Sequence, residues 1–308
     1  MSAAVRVAAS EQGRAGIAAI RERLATRPRD ETLSVEDRRA AIEAFAAPSS
    51  DGVAIVHATL AGVPVERHDP PGAARGAAIV YAHGGAYVIG SARTHRALAA
   101  AIAAAAGVRL YAIDYRLAPE HPFPAGRDDV VAVAEALAAD GVAFALLGDS
   151  AGGGLVLQAA LAMRAAPTAI AVTSPWVDLA MTRKLDETSA AAEAMLTPEG
   201  LALDAGRYLD GRDLHDPAVA VLEGDLRNLP PLLIQVGEDE LLLGDAIALA
   251  ARAQSADVQV SFEIWEAMIH SWHAFRGLVP EADLAIARIG SFLRSHLAPA
   301  DRYEGETA

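Results

Sequence analysis

Short apolar runs alternate with Ala-rich, helix-like segments along most of the 308-residue chain. Runs of this kind are typical of buried strands, which are predicted over residues 53–60, 63–67, 77–82, 108–114, 142–147, 169–173, 232–236 and 258–265. The segments between them predict helices over 94–106, 126–139, 152–165, 243–255 and 280–296. A strand hairpin followed by regular alternation predicts an α/β fold: a mostly parallel, eight-stranded sheet with helices on both faces.

Two parts of the chain depart from this alternation and hold no predicted strand. Charged, Ala-rich helices are predicted over 11–25 and 35–47, with Ser34 as the N-cap of the second. The stretch between residues 178 and 229 contains polar helices whose methionines and leucines favour a packed lid. We therefore expect four segments: N-terminal cap helices over 1–50, a first core part over 51–178, a cap insertion over 179–225 and a second core part over 226–308.

The composition restricts both the partners and the chemistry of the chain. A formal net charge of −14 opposes binding to nucleic acid or to an anionic membrane surface, because both attract clustered lysine and arginine. The absence of cysteine excludes a disulfide framework, a thiolate zinc site and a cysteine nucleophile. Residues 1–30 lack the apolar core of a secretory signal, and no charge-free apolar run reaches about 18 residues. A cytoplasmic protein is expected.

A Gly-x-Ser-x-Gly pattern, running from Gly148 to Gly152, follows the apolar run 142–147 and opens a helix-like segment. Strand, sharp turn and helix together form a nucleophile elbow, in which the turn exposes the serine hydroxyl. The N-terminus of the following helix directs unpaired N–H groups and a positive dipole end at the reacting oxygen. This context indicates Ser150 as a nucleophile, although the letters alone also occur in ordinary surface turns.

A His-Gly-Gly-Ala loop comes directly after a predicted strand upstream of the elbow. Acyl transfer passes through an oxyanion that preorganised backbone N–H groups stabilise, and small side chains allow those amides to approach it. We expect the amides of Gly85, Ala86 and Ala151 to form an oxyanion hole. Gly84 shapes the loop and is a further candidate donor.

An acid and a histidine follow Ser150 along the chain, which is one of the orders in which a serine nucleophile and its partners occur. The seventh predicted strand is followed by three consecutive carboxylates, residues 238–240, and the eighth by His270 and His273. The acid has to hold the imidazole tautomer and stabilise its cation. By spacing, Asp239 and Glu238 are placed equally well, and His270 is favoured over His273 because it is nearer the strand end.

The chain resembles the hormone-sensitive-lipase-like family (family IV) of bacterial esterases in a series of ordered motifs. They comprise the oxyanion loop at 83–86, a strand-to-helix signature at 114–125, the elbow at 148–153, a Ser-Pro-Trp-x-Asp segment at 174–178, the acid motif at 237–241 and the histidine motif at 267–270. The resemblance implies an α/β-hydrolase fold with a helical cap. It also implies a carboxylesterase without cofactor or metal, whose catalytic triad is Ser150, Asp239 and His270.

Two positions depart from the family pattern. Ala86 replaces the third glycine of the oxyanion loop, and Ala267 replaces the glycine of the histidine motif. Neither change removes a chemical function, because each keeps the backbone amide. The stretch 265–273 is also similar to monoterpene ε-lactone hydrolase-type members of the family.

The substrate stays open at the level of the sequence. Short- to medium-chain carboxylic esters are expected, and a lactone or an acylated metabolite is the alternative for the same triad; a non-catalytic ligand-binding relative is disfavoured because no triad member is missing. The expected partner is thus a small ester or lactone, and homodimerisation is left open. Apolar residues expected to line the substrate pocket are Tyr87, Trp176, Met181, Met195, Leu196 and Trp272. Five scattered histidines receive no role: His57, His68, His95, His121 and His215.

Overall fold

The computed structural model describes residues 4–26, 32–44, 46–47, 52–181 and 193–297. Within these ranges nine strands form one sheet. They are β1 (Val5–Val7), β2 (Ala54–Leu60), β3 (Val63–Asp69), β4 (Ala74–Ala82), β5 (Val108–Ile113), β6 (Ala143–Asp149), β7 (Ile170–Thr173), β8 (Leu232–Gly237) and β9 (Val260–Trp265). Parts of the predicted segments 1–50, 179–225 and 226–308 lie outside the described residues.

The helices follow the predicted positions closely. They are α1 (Glu11–Leu24), α2 (Val35–Glu43), α3 (Arg96–Ala106), α4 (Ala125–Ala139), α5 (Ala151–Ala162), α6 (Pro198–Leu209), α7 (Leu243–Ser255) and α8 (Pro280–Leu297). Single 3₁₀ turns occur at Val221–Glu223 and Trp272–Phe275. In the described part of the chain, no helix combines the length and the apolar character needed to cross a membrane.

The sheet has the strand order β1-β9-β8-β7-β6-β4-β5-β3-β2. Neighbouring strands are parallel from β1 to β5, whereas β3 pairs antiparallel with both β5 and β2. This arrangement confirms the mostly parallel sheet with an antiparallel beginning.

The prediction of eight strands was one strand short, because β1 precedes the first predicted strand. The prediction that segment 1–50 consists of cap helices was wrong at β1, which belongs to the sheet. Val5 to Val7 pair with Glu263 to Trp265 of β9. Three residues are too few for a period-two pattern to emerge from the sequence. The segment is a strand because an edge of the sheet offers it backbone partners, and the Glu266 amide extends the pairing by donating to the Val7 carbonyl at 3.0 Å.

Helices cover both faces of the sheet, as the alternation predicted. One face packs under α3 and α8 through residues such as Ile79, Ile102 and Ile289. The other face packs under α4, α5 and α7 through residues such as Val80 and Leu155. The central strands β6, β7 and β8 are therefore buried on both faces, and the loops that follow the parallel strands gather at the carboxyl edge of the sheet.

An ion pair that is nearly excluded from solvent joins helices α2 and α6. The guanidinium of Arg38 donates to both carboxylate oxygens of Asp204, at 2.9 and 2.7 Å. The side chains are 5% and 2% exposed. A bidentate pair of this kind fixes the two helices in one relative position, since breaking it would leave an uncompensated buried charge.

Candidate active site

Ser150 occupies the sharp turn between β6 and α5. Its backbone has φ 53° and ψ −121°, a conformation that side-chain-bearing residues rarely adopt. The neighbours have to be small: a β-carbon on Gly148 would lie 2.2 Å from the Gly152 carbonyl oxygen, and one on Gly152 would lie 2.1 Å from the Ala82 carbonyl oxygen. The strained backbone is held by the Ser150 amide, which donates to the Thr173 carbonyl at 2.9 Å.

His270 lies beside this serine, in the loop that follows β9. Its Nε2 is 3.0 Å from the Ser150 hydroxyl, and the imidazole is buried. The alternative, His273, points elsewhere: its Nε2 is 2.9 Å from Oε1 of Gln235, inside the sheet layer. The structure therefore brings together Ser150 and His270, as the motif spacing predicted, and places His273 out of reach.

The carboxylate that contacts His270 is Glu240, and the assignment of Asp239 as the acid was wrong. Oε2 of Glu240 lies 2.8 Å from Nδ1 of His270. Asp239 points away from the histidine and forms an ion pair of 2.8 Å with Arg21 of α1. The two side chains diverge because successive residues of the loop face opposite sides: Glu240 is completely buried, whereas the Asp239 side chain is 32% exposed.

Two further hydrogen bonds hold the Glu240 carboxylate in place. Its Oε1 accepts from the Gly237 amide at 2.5 Å and from the Ser174 hydroxyl at 3.0 Å. The hydroxyl of Ser174 also accepts from the Ser271 amide at 3.3 Å, next to the histidine. Ser174 is thus a residue of the site that sequence reasoning missed, although it begins the Ser-Pro-Trp-x-Asp segment.

The contacts of His270 define one tautomer and a strengthened base. A carboxylate only accepts hydrogen bonds, so Nδ1 donates to Glu240 and Nε2 is left to accept from the Ser150 hydroxyl. Burial by itself lowers the pKa of His270, but the hydrogen bond and the charge of Glu240 outweigh it, and the pKa is raised above the ordinary 6.5. The arrangement can withdraw the proton of the serine and stabilise the imidazolium that results.

The expected oxyanion loop follows β4 and lies against the elbow. The amide of Gly84 donates to Oδ1 of Asp149 at 2.9 Å, so the suggestion that Gly84 contributes to the oxyanion hole is wrong. The amides of Gly85, Ala86 and Ala151 find no acceptor within the described part of the chain. Ala86 itself has a φ of 53°, a conformation favourable to the glycine it replaces.

Four of the six residues expected to line a pocket lie in one apolar cluster. Tyr87 and Trp176 are buried together with ring centroids 5.4 Å apart, and Met181 and Leu196 are half-buried against the same apolar cluster. Met195 is 38% exposed.

Trp272 does not join this group, and its assignment to the pocket was wrong. It is fully buried in a separate cluster with Trp265 and Ile17, because the 3₁₀ turn after His270 directs its indole toward α1 and α8.

A profile of the alpha/beta hydrolase fold family matches residues 79–274, which span all of these site residues. Among characterised proteins, an acetyl-hydrolase of Streptomyces hygroscopicus is 41% identical over 275 residues, covering 85% of this chain and 90% of the relative. An ethyl acetate hydrolase of Pseudomonas putida is 32% identical over 252 residues, covering 76% and 79%.

Solved structures agree with this match. The crystal structure of an esterase from the bacterial hormone-sensitive lipase family superposes with a TM-score of 0.87 at 41% identity, over 94% of this chain and all of that one. Because the superposition covers 94% of the chain, the similarity extends well beyond the elbow and its neighbouring loops.

Proposed function

This chain belongs to the alpha/beta hydrolase fold family, and we propose that Ser150, His270 and Glu240 are the nucleophile, base and acid of a serine carboxylesterase. The chain is a carboxylic ester hydrolase of the hormone-sensitive-lipase-like kind. The observation that carries the triad is an unbroken hydrogen-bonded series, from the Ser150 hydroxyl through both nitrogens of His270 to Glu240.

The reaction proceeds in two steps. His270 Nε2 takes the proton of the Ser150 hydroxyl while Oγ attacks the ester carbonyl, and Glu240 stabilises the imidazolium that forms. Backbone N–H groups of Gly85, Ala86 and Ala151 donate to the oxyanion. His270 then protonates the departing alcohol, leaving an acyl-enzyme. A water molecule, deprotonated by the same nitrogen, attacks the acyl carbon. The bond to Oγ then breaks, His270 returns the proton to the Ser150 oxygen, and the acid is released.

Helices outside the sheet core form the proposed cap over this site. Helix α2, from the 1–50 segment, is joined to α6, from the 179–225 insertion, by the Arg38–Asp204 pair. Its neighbour Arg39 donates to the backbone carbonyls of Val88 and Ala118, each at 2.9 Å, on loops next to the site. The cap is thereby anchored to the exit of the oxyanion loop.

Esters with short or medium acyl chains are the proposed substrates. Two relatives are named for acetyl-group and ethyl acetate hydrolysis. In this chain, Tyr87 directly follows the oxyanion loop and stacks on Tyr208 of α6, with centroids 3.9 Å apart and planes 10° from parallel. Because these buried rings occupy the space between the loop and the cap, a compact acyl group is favoured.

Hydrolysis of p-nitrophenyl acetate, butyrate and palmitate by the purified protein tests the proposal. We expect the two short esters to be cleaved faster than palmitate, and Ser150→Ala to lower kcat by a factor on the order of 10⁶. Ser255→Ala, at the exposed end of α7, is the matched control and should be unchanged. Activity of Ser150→Ala within tenfold of the wild type would exclude this nucleophile, and preference for palmitate would exclude the short-chain assignment.

A further inference from the structure

A half-buried histidine and a buried carboxylate face each other behind the oxyanion loop. His95 immediately precedes α3, and Asp149 is the last residue of β6, directly before Ser150. Nε2 of His95 lies 3.5 Å from Oδ2 of Asp149, and the two side chains are 15% and 6% exposed. The triad uses neither residue.

The contacts around His95 favour its protonated form. Nδ1 of His95 lies 2.8 Å from the Thr94 hydroxyl, which can donate or accept, and 3.4 Å from the Ser91 carbonyl oxygen, which can only accept. The Ser91 carbonyl therefore favours a hydrogen on Nδ1. Nε2 faces the Asp149 carboxylate, which has no hydrogen to offer and favours one there as well. These contacts favour the imidazolium form of His95, with hydrogens on both nitrogens.

The other groups near His95 are consistent with this charge. Burial lowers the pKa of His95, but Asp149 outweighs burial and the pKa is raised above 6.5. The imidazole of His83 stacks on His95 at 5.4 Å and is neutral, because burial and the His95 charge lower its pKa to about 3. The remaining charged groups on adjoining elements are already in hydrogen bonds: Glu43 with Arg93, Arg96 with Glu66, and Asp114 with the Ala92 amide.

Asp149 connects the elbow to the oxyanion loop. Its Oδ1 accepts from the Gly84 amide at 2.9 Å and from the Tyr81 hydroxyl at 2.6 Å. One carboxylate thus fixes the loop whose next two amides are the proposed oxyanion donors. The same carboxylate also places a buried negative charge close to where the oxyanion forms, and uncompensated it would oppose the developing charge.

We propose that His95 is a positioning residue that, as an imidazolium, holds Asp149 on the Gly84 amide and cancels its charge beside the developing oxyanion. This inference rests on the proposed function. If His95 has this role, activity has an alkaline limit. When His95 loses its proton, the Asp149 charge is left uncompensated, and kcat falls with little change in KM.

Asp149→Asn is the isosteric test. The asparagine oxygen can still accept from Gly84 and Tyr81, while its amide donates to a neutral His95, so the network persists without either charge. We expect this variant to lose the alkaline limb of kcat. His95→Gln should lower kcat about 10- to 100-fold at neutral pH. His215→Gln, which removes an exposed histidine paired with Glu223, is the matched control and should keep the wild-type profile.

The charge of His95 is measured directly by ¹⁵N NMR of the resting protein, with its resonances assigned by their loss in His95→Gln. We expect imidazolium shifts at pH 7 in the wild type and a neutral ring in Asp149→Asn. A neutral His95 in the wild type at pH 7, or an alkaline limb that survives in Asp149→Asn, would overturn the inference. If His95→Gln does not fold, the His95 resonances are assigned by their change in Asp149→Asn, and the charge of His95 in the wild type is still measured. Because NMR requires no turnover, an absence of esterase activity would contradict the proposed function without affecting this test.

Discussion

The position of one carboxylate decides how the triad is completed. Glu240 and Asp239 are adjacent in one loop, yet only Glu240 is removed from solvent and supported by the Gly237 amide and the Ser174 hydroxyl. Asp239 is partly exposed and paired with Arg21. A buried, hydrogen-bonded carboxylate can hold an imidazole in one orientation, whereas an exposed one exchanges partners with water.

We therefore predict that Glu240→Gln lowers kcat about 10⁴-fold, because a glutamine no longer enforces the productive tautomer of His270. Asp239→Asn is the matched control in the same loop and should stay within a few-fold of the wild type. Steady-state kinetics on p-nitrophenyl butyrate provides the measurement. If Asp239→Asn were the more damaging change, the loop would have to be oriented differently from the structure described above.

The acid limb of the pH profile reports on the same contact. His270 acts as a base only when neutral, and Glu240 raises its pKa above 6.5, so kcat/KM should fall as the pH drops through a value above 6.5. In Glu240→Gln, burial dominates, and the residual activity should persist to a pH below 6.5. Glu238→Gln, an exposed residue of the same loop, is the control. Identical acid limbs in wild type and Glu240→Gln would contradict the assignment of Glu240 as the acid that contacts His270.

The sequence could locate the nucleophile and the histidine but not the acid. The Gly-x-Ser-x-Gly context and the distance from the last strand point to Ser150 and His270. Three consecutive carboxylates at 238–240 offer the same spacing, and the choice among them depends on which side chain turns inward. Leu241 and Leu242, which follow Glu240, are buried, and these apolar neighbours were the available signal that the chain turns toward the core at Glu240. His95 was overlooked for a similar reason, since its partner lies 54 residues away in sequence.

At the scale of elements, the hydrophobic pattern predicted most of the strands and helices. The edge strand β1 and the positions of the cap helices depend on tertiary contacts. Strand β1 has three residues and exists through pairing with β9. Ion pairs between residues distant in sequence, such as Arg38 with Asp204, place the helices outside the sheet core. No local periodicity encodes such contacts.

One residue of the cap insertion contacts the acid loop directly. Oε2 of Glu193 accepts from the Leu241 amide at 2.9 Å, immediately after Glu240, and its Oε1 accepts from the Met195 amide at 2.6 Å. The charge of Glu193 also contributes to the raised pKa of both Glu240 and His270. The cap and the acid loop are therefore joined at this carboxylate.

We predict that Glu193→Gln shifts the acid limb of kcat/KM to lower pH, because removing the negative charge makes His270 easier to deprotonate. Glu193→Ala should in addition lower kcat about 10-fold, since the Leu241 amide loses its acceptor and the acid loop is less well fixed. Glu199→Gln removes an exposed charge from the first turn of α6 and serves as the control. An acid limb that responds equally to Glu199→Gln would show a general effect of charge instead of this contact.

At the scale of the whole molecule, buried neutral histidines should make the fold sensitive to acid. His68 is completely buried in β3, and neither ring nitrogen has a hydrogen-bond partner among the described residues. Burial, with a smaller contribution from Arg96, lowers its pKa to about 4. Burial likewise lowers the pKa of His83 and His273 to about 3. Between pH 6.5 and these values, the unfolded chain binds protons that the folded chain does not, and stability falls as the pH is lowered.

Each such histidine contributes about 1.4 kcal/mol of lost stability per pH unit within its window. We predict that His68→Leu reduces the difference in unfolding free energy between pH 7 and pH 4.5 by about 2 kcal/mol, since leucine has no proton to bind in either state. Urea denaturation at the two pH values measures that difference. His57→Leu, on the adjoining strand β2 with a side chain 75% exposed, is the matched control and should keep the wild-type pH dependence. A difference in His68→Leu as large as in the wild type would mean that His68 is protonated in the folded protein, and that the acid sensitivity originates in other groups.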